Sequence, residues 1–381
     1  MVNSFQNVNS EVNPTVGKLS VISMKGCEEF TKKIDWYLRD MRKDTEKVDT
    51  YVTHVTCPRF GTGEGKGVID ETVRGHDVYI ICDCFNHGVT YKMYGYENHM
   101  SPDDHYQDLK RIIAAMGGKA RRVTVVMPML YEGRQHKRSG RESLDAAIML
   151  QELSTMGVKN VLTFDAHDPR ISNATPLSGF DDIQPTYQMI KAISNAVPDI
   201  KFNKFDTIVI SPDEGGMSRC MYYSSVLQLD LGMFYKRRDY SRVENGKNPI
   251  VAHEYLGREV DGKDVIIVDD MIASGESLID VATKLKNQGA KRIFAFASFG
   301  LFVNGLEVFD KAYEDGIINK IFTTNLIYRD PGLTSREWHY EVDMSKYVSL
   351  LIDTLNHDDT ISHLLDPVTK IHNFIEKRGN K

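Results

Sequence analysis

The chain has no apolar stretch approaching the roughly 20 residues needed to cross a bilayer, so no membrane span is expected. It has little cysteine: five residues in 381, at Cys27, Cys57, Cys82, Cys84 and Cys220. The number is odd and the spacing suits neither a disulfide framework nor a zinc site, so a reducing compartment is expected. Cys82 and Cys84 would share one face of a strand, which makes them core residues. An excess of positive charge is also missing. The net charge is −6, and a general nucleic-acid binder would need surplus Lys and Arg to neutralise phosphates, although a local basic patch stays open. The Asn- and Ser-rich start has no basic segment followed by an apolar run, so no signal peptide is expected and a cytoplasmic location is the default.

What is present is ordinary for a globular protein: 41% hydrophobic and 26% charged residues. At 381 residues the chain is too long for one ordinary core, which implies about two domains. Residues 1–14 read as a mobile tail. Short β-rich runs at 78–81, 123–127, 161–164, 207–210, 265–268 and 293–297 then alternate with amphipathic helices. Continuous apolar strands between helices predict an α/β architecture with parallel sheets covered on both faces.

An internal repeat points the same way. A strand at 123–128, a polar loop and a helix at 144–156 lead through Gly157-Val158-Lys159-Asn160 into a strand at 161–164. Downstream, a strand at 265–268, a loop at 269–277 and a helix at 278–288 lead through Gly289-Ala290-Lys291-Arg292 into a strand at 293–296. The later helix carries Leu278, Val281, Ala282 and Leu285 on one face. The earlier one is apolar nearly all round and is expected to be more deeply buried. The two copies predict two similar domains, 15–190 and 191–381, the second with a C-terminal helical extension. Chance likeness between βαβ units is the alternative.

The strongest motif is Asp269-Asp270-Met271-Ile272-Ala273-Ser274-Gly275-Glu276-Ser277, between a buried strand and a helix. Small residues there would present backbone N–H groups at a helix N-terminus, where the dipole favours a phosphate dianion. The paired carboxylates can accept bonds from vicinal sugar hydroxyls. The alternative is an ordinary cap, with Ser274 or Ser277 satisfying the first turn. The run resembles the loop with which phosphoribosyl-handling enzymes hold a 5-phosphate and its ribose. Within that superfamily, Ala273 departs from the Asp usual in ribose-phosphate pyrophosphokinases and is more typical of phosphoribosyltransferases. Glu276 stands where a small residue is usual.

Further segments, in the same order as in the family, resemble ribose-phosphate pyrophosphokinases. Phe60-Gly61-Thr62-Gly63-Glu64 is similar to the adenine-contacting loop, with Thr62 in place of Asp or Asn. An aromatic and an acidic residue on a Gly-flanked loop could stack on adenine and accept from its amino group; the alternative is a surface turn. Arg134-Gln135-His136-Lys137-Arg138 resembles Arg-Gln-Asp-Arg-Lys, His136 standing where Asp is usual. Such a basic loop suits a triphosphate. Phe164-Asp165-Ala166-His167 resembles Asp-Leu-His, whose His contacts the ATP phosphates and their Mg²⁺ in the family. Ser211-Pro212-Asp213-Glu214-Gly215-Gly216 resembles Ser-Pro-Asp-x-Gly-Gly, where the Asp serves the metal and the ribose; a turn residue after Pro is the alternative for Asp213. Tyr235-Lys236-Arg237-Arg238 and the polar stretch after it resemble Lys-Arg-Arg and a mobile catalytic loop.

The resemblance implies Mg²⁺-dependent transfer of a pyrophosphoryl group from ATP to ribose 5-phosphate. Phe60, Thr62, Gly63, Glu64, Arg134, Gln135 and His136 would bind ATP. Asp269, Asp270, Ala273, Ser274, Gly275, Glu276 and Ser277 would bind ribose 5-phosphate. His167 and Asp213 would serve the metal, and Lys236, Arg238 and His167 the catalysis. It also implies dimers building a hexamer, with the adenine loop supplied by a neighbouring subunit. A phosphoribosyltransferase and a non-catalytic regulator binding the same ligands are the rival readings. The stretch 91–106 is an insertion relative to the family, and no role is assigned to it.

Overall fold

The computed structural model describes residues 14–238 and 250–379; the expected mobile tail and catalytic loop fall almost wholly outside the described residues. Residues of the first half form β1 (Leu19–Ser23), β2 (Val52–Thr53), β3 (Val55–Thr56), β4 (Val68–Ile69), β5 (Asp77–Ile81), β6 (Thr90–Met93), β7 (Tyr96–His99), β8 (Arg122–Val126), β9 (Asn160–Phe164) and β10 (Gly179–Ile183). The second half supplies β11 (Thr207–Ser211), β12 (Asp230–Arg238), β13 (Ile250–Leu256), β14 (Asp264–Ile272), β15 (Arg292–Gly300), β16 (Lys320–Thr324) and β17 (His339–Val342). Two separate main sheets result, ordered β10-β9-β8-β5-β1-β2 and β13-β12-β11-β14-β15-β16-β17. Every pairing in them is parallel except β12 with β13. The fold is α/β with two mainly parallel sheets, as the strand pattern predicts.

Strands β5 and β11 are buried along their whole length, as parallel sheets covered on both faces require: β5 is Asp-Val-Tyr-Ile-Ile with every residue buried. Cys82 and Cys84 lie in the core just beyond it. The α-helices are α1 (Glu28–Arg42), α2 (Pro102–Met116), α3 (Asp145–Thr155), α4 (Thr186–Ala196), α5 (Met217–Leu227), α6 (Glu276–Asn287), α7 (Glu307–Glu314), α8 (Ser345–Asn356), α9 (Ser362–Leu365) and α10 (Val368–Gly379), the last two forming the expected C-terminal helical extension. Helix α6 buries Leu278, Val281, Ala282 and Leu285, the face its spacing defines. Helix α3 departs from expectation: it buries Ala146, Ala147, Met149, Leu150 and Leu153 but leaves Ile148 48% exposed, so it packs through one side despite its uniform composition.

The internal repeat is present but offset. Strands in the two sheets follow one order, so β5 and β8 occupy the places of β14 and β15. A shared ion pair marks the equivalence. Arg122 grips Asp77 through Nε at 2.8 Å and Nη2 at 2.7 Å, and Arg292 grips Asp264 through the same atoms at 2.9 and 2.6 Å. Both pairs stand at the first residues of adjacent strands. The unit matching β14–α6–β15 is therefore β5–α2–β8, one unit before the strand–helix–strand segment that the sequence pattern singles out.

The halves also exchange helices. Helix α4 follows the first sheet but packs on β16 and β17, while α8 follows the second sheet and packs on α1. Arg42 of α1 anchors α8 through Asp353 at 2.6 Å and Asn356 at 2.9 Å. The expected division at 190/191 falls within α4.

Candidate active site

The site forms where strand ends of both sheets meet. Strand β14 runs on to Ile272 and α6 begins at Glu276, which shortens the expected 269–277 loop to Ala273, Ser274 and Gly275. Gly275 is the N-cap, at φ +86°, and no side chain caps the first turn, so neither serine plays the capping role. A Cβ at Gly275 would lie 2.0 Å from Cζ of Phe309, a second reason for glycine here. The matching helix of the first half behaves differently. At α2, Ser101 and Asp104 form a reciprocal capping box around Pro102, so two of its terminal amides are already satisfied and a third position has no N–H. The first turn of α6 is left for an acceptor from outside the helix. A cavity of about 150 Å³ opens beside it, lined by Asp213, Asp269, Ala273, Ser274, Gly275 and Ser277 among others. Glu276 is exposed and pairs with no described cation.

Asp213 shapes its own turn, accepting from the N–H groups of Gly215 at 2.9 Å and Gly216 at 3.2 Å, and it also lines this cavity. Asp269 and Asp270 are consecutive in β14 and their carboxyl groups interact, yet each lines a different cavity. Asp269 faces the loop cavity. Asp270 faces a second cavity of about 130 Å³ with Arg134, Asp165 and His167; Met271 lines both.

In the second cavity His167 Nδ1 lies 2.7 Å from Asp270 Oδ2, joining the first half to the second. The hydrogen bond to Asp270 raises the His167 pKa above its ordinary value, against the opposing effect of burial. Burial pushes Asp270 up, but His167 and the charge of Arg219 outweigh it and hold it low. Asp269 is driven well above the usual carboxylate range by burial and by Asp270. Beneath them, buried Asp165 sits at φ +44° and accepts from Arg219 Nε at 2.6 Å and from the Ser298 hydroxyl. Arg219, on α5, and Ser298, on β15, escape sequence reasoning. Their one signal is position: Arg219 lies in the first turn of the helix after the Asp213 turn, and Ser298 is a lone hydroxyl within a buried apolar strand.

Arg134 lines the second cavity. Gln135 braces the basic loop by donating to the carbonyls of Ser143 at 2.9 Å and Lys137 at 3.3 Å. His136 packs 5.4 Å from the His167 ring and 3.3 Å from Asp168, a surrounding that an Asp at this position would not share, since like charges repel. Phe60, Thr62, Gly63 and Glu64 line neither cavity; Phe60 is 56% exposed. Lys236 and Arg238 lie on β12, with the Lys236 backbone opposite His253, and their side chains lie outside the described residues.

Two phosphoribosyltransferase-like halves, with a loop cavity on one and a basic loop and histidine on the other, define the class of protein. The N-terminal domain of ribose phosphate pyrophosphokinase matches residues 19–157, and the phosphoribosyl transferase domain matches 180–333. Ribose-phosphate pyrophosphokinase of Shewanella oneidensis is 30% identical over 313 residues, covering 80% of this chain and 88% of that one. The Vibrio cholerae protein of the same name is 29% identical over 317 residues, covering 82% and 90%. The crystal structure of phosphoribosylpyrophosphate synthetase from Mycobacterium smegmatis shares the fold, with TM-score 0.72 and 20% identity over 90% of this chain and 99% of that one. The chain belongs to the ribose-phosphate pyrophosphokinase family.

Proposed function

We propose that the protein is a ribose-phosphate diphosphokinase, converting ATP and ribose 5-phosphate to AMP and 5-phosphoribosyl 1-pyrophosphate. One observation carries the reading: a loop cavity at an uncapped helix and a cavity holding Arg134 and His167 share a wall at Met271. The 1-hydroxyl oxygen of the sugar bonds to the β-phosphorus, the bond from that phosphorus to the oxygen of the α-phosphate breaks, and the hydroxyl proton is lost.

The amides of Ser274 to Ser277 would hold the 5-phosphate, and Asp269 the ribose hydroxyls. Asp270 is engaged by His167, so a ribose contact from it requires that pair to open. Arg134 would meet the triphosphate. Gln135 and His136 would act by shaping the loop, and Phe60 to Glu64 would receive adenine in a neighbouring copy of a homo-oligomer. Lys236 and Arg238 would meet charge that develops in transfer.

Among the described residues no group of three or more His, Cys, Asp or Glu is placed to hold a metal. Mg²⁺ needs no such cage, since it keeps waters and shares substrate phosphates. The oxygen donors of Asp213 and Asp269 in one cavity fit it, and His167 stands in the other. Bound there with ATP, Mg²⁺ would neutralise phosphate charge. Ala273 favours the second reading, a phosphoribosyltransferase. No described helix is long and apolar enough to cross a membrane, and the cytoplasm is the proposed location.

Steady-state kinetics test the assignment. Asp269→Asn raises the KM for ribose 5-phosphate, whereas Lys236→Ala lowers kcat by about a hundredfold to a thousandfold with little change in either KM. If Lys236→Ala changes only a KM, the catalytic cation is assigned wrongly.

A further inference from the structure

The hairpin of β6 and β7 stands in the first half where the second half has its phosphate loop, between β5 and α2. Its two-residue turn, Tyr94 at φ +50° and Gly95 at φ +84°, has the left-handed pair that closes a tight hairpin. The tip does not project freely into solvent. Tyr94 N–H donates to the Gly61 carbonyl at 2.8 Å. Met93 lies against Gly63, whose Cβ, if present, would fall 2.7 Å from the Met93 Sδ. Tyr91 stacks under Arg59 at 5.0 Å, and Arg59 is itself locked to Asp108 of α2 by bonds of 2.6 and 2.9 Å.

The 60–64 loop is fixed at its base by the antiparallel bridge of Arg59 with Gly65 and by the Lys66 N–H on the Pro58 carbonyl at 3.2 Å, but its tip has fewer ties. It closes on itself, with Phe60 N–H donating to Glu64 at 2.7 Å and Gly63 N–H to Phe60 at 2.9 Å, while Gly61, Thr62 and Glu64 are exposed. A loop with two glycines and an exposed aromatic would lose much conformational freedom on receiving a base. A support that holds it beforehand lowers that cost.

We infer that the hairpin is a strut that presets the 60–64 loop, so that Met93 and the Tyr94 amide are positioning groups for nucleotide affinity. The inference rests on reading 60–64 as the adenine loop. It specifies which substrate the hairpin serves: the nucleotide and not the sugar phosphate.

Two variants test it. In one, Met93→Ala removes the packing on Gly63. In the other, residues 90–99 are replaced by Gly-Gly, which can close the gap because Met100 N–H already donates to the Val89 carbonyl at 2.8 Å. Phe60→Ala tests the underlying reading, and thermal melting checks the fold of all three. The strut predicts that the excision raises the KM for ATP by about tenfold and Met93→Ala by a smaller factor, with kcat and the KM for ribose 5-phosphate held within about twofold. If Phe60→Ala raises the KM for ATP and the hairpin variants do not, the strut is wrong and the adenine loop stands. If Phe60→Ala has no effect on that KM, the loop assignment and the strut fall together. A parallel loss of kcat and of both affinities makes the hairpin a general brace, and also overturns the inference.

Discussion

His167 and Asp270 meet at 2.7 Å across the two halves, and the contact fixes one ring nitrogen of the histidine while its ring lines the cavity with Arg134. A counterpart sits at the matching place in the other direction. Asp83, two residues past β5 as Asp270 is two past the matching position on β14, accepts from the Tyr328 N–H at 2.6 Å. Each half thus offers a carboxylate at a strand end to a residue of the other half.

The first contact is functional in the proposed mechanism. His167→Ala and Asp270→Ala each lower kcat, and the double variant loses less than the sum. The coupling should be about 0.5–3 kcal/mol, the range for residues in direct contact. A double-mutant cycle in kcat measures it. Additive losses would remove the link between the two side chains.

Gly275→Ala should both destabilise the protein and damage the loop. It places a side chain at φ +86° with its Cβ 2.0 Å from the Phe309 ring, where Phe309 is itself packed against Phe302 and Trp338. Strain of this kind costs about 1–3 kcal/mol. Melting reports the strain and the KM for ribose 5-phosphate reports the loop. An unchanged KM would separate the phosphate site from this loop.

Asp83 predicts a pH effect on stability. It is buried, and burial outweighs the bonds it accepts from Phe85 and Tyr328, pushing its carboxyl up to about 6. The folded value lies above the unfolded one of about 3.9, so the native state takes up the proton first. The resulting stability is fully present below the unfolded value and is lost as pH rises through about 6. Asp83→Asn cannot titrate. The melting temperature of wild type relative to this variant should therefore rise from pH 7 to pH 5. A constant difference would show that Asp83 is ionised throughout.

Much of this was readable from the chain because each motif borders a strand end, and a buried apolar run ending in polar residues survives in sequence. The repeat was legible in kind and displaced in place. Its cue, a glycine followed by a strand, is common to βα units: Gly117, Gly157, Gly289 and Gly316 all take positive φ after helices. The true markers, Asp77 with Arg122 and Asp264 with Arg292, lie 45 and 28 residues apart, and the hairpin disguises their likeness. Arg219 and Ser298 were not legible because their role is a bond to Asp165 across the halves, and no local spacing encodes such a bond. The split of Asp269 and Asp270 between two cavities was not legible either, because it depends on β14 running on through them to Ile272.

The most direct test of the central claim is the product of one incubation. The purified protein is given ATP, Mg²⁺ and ribose 5-phosphate, and the nucleotides and phosphorus resonances are followed with each component omitted in turn. The account predicts AMP and a sugar diphosphate in equal amounts, only when all three are present. AMP without the sugar diphosphate, ADP in its place, or no reaction alongside consumption of added 5-phosphoribosyl 1-pyrophosphate with a base would contradict it.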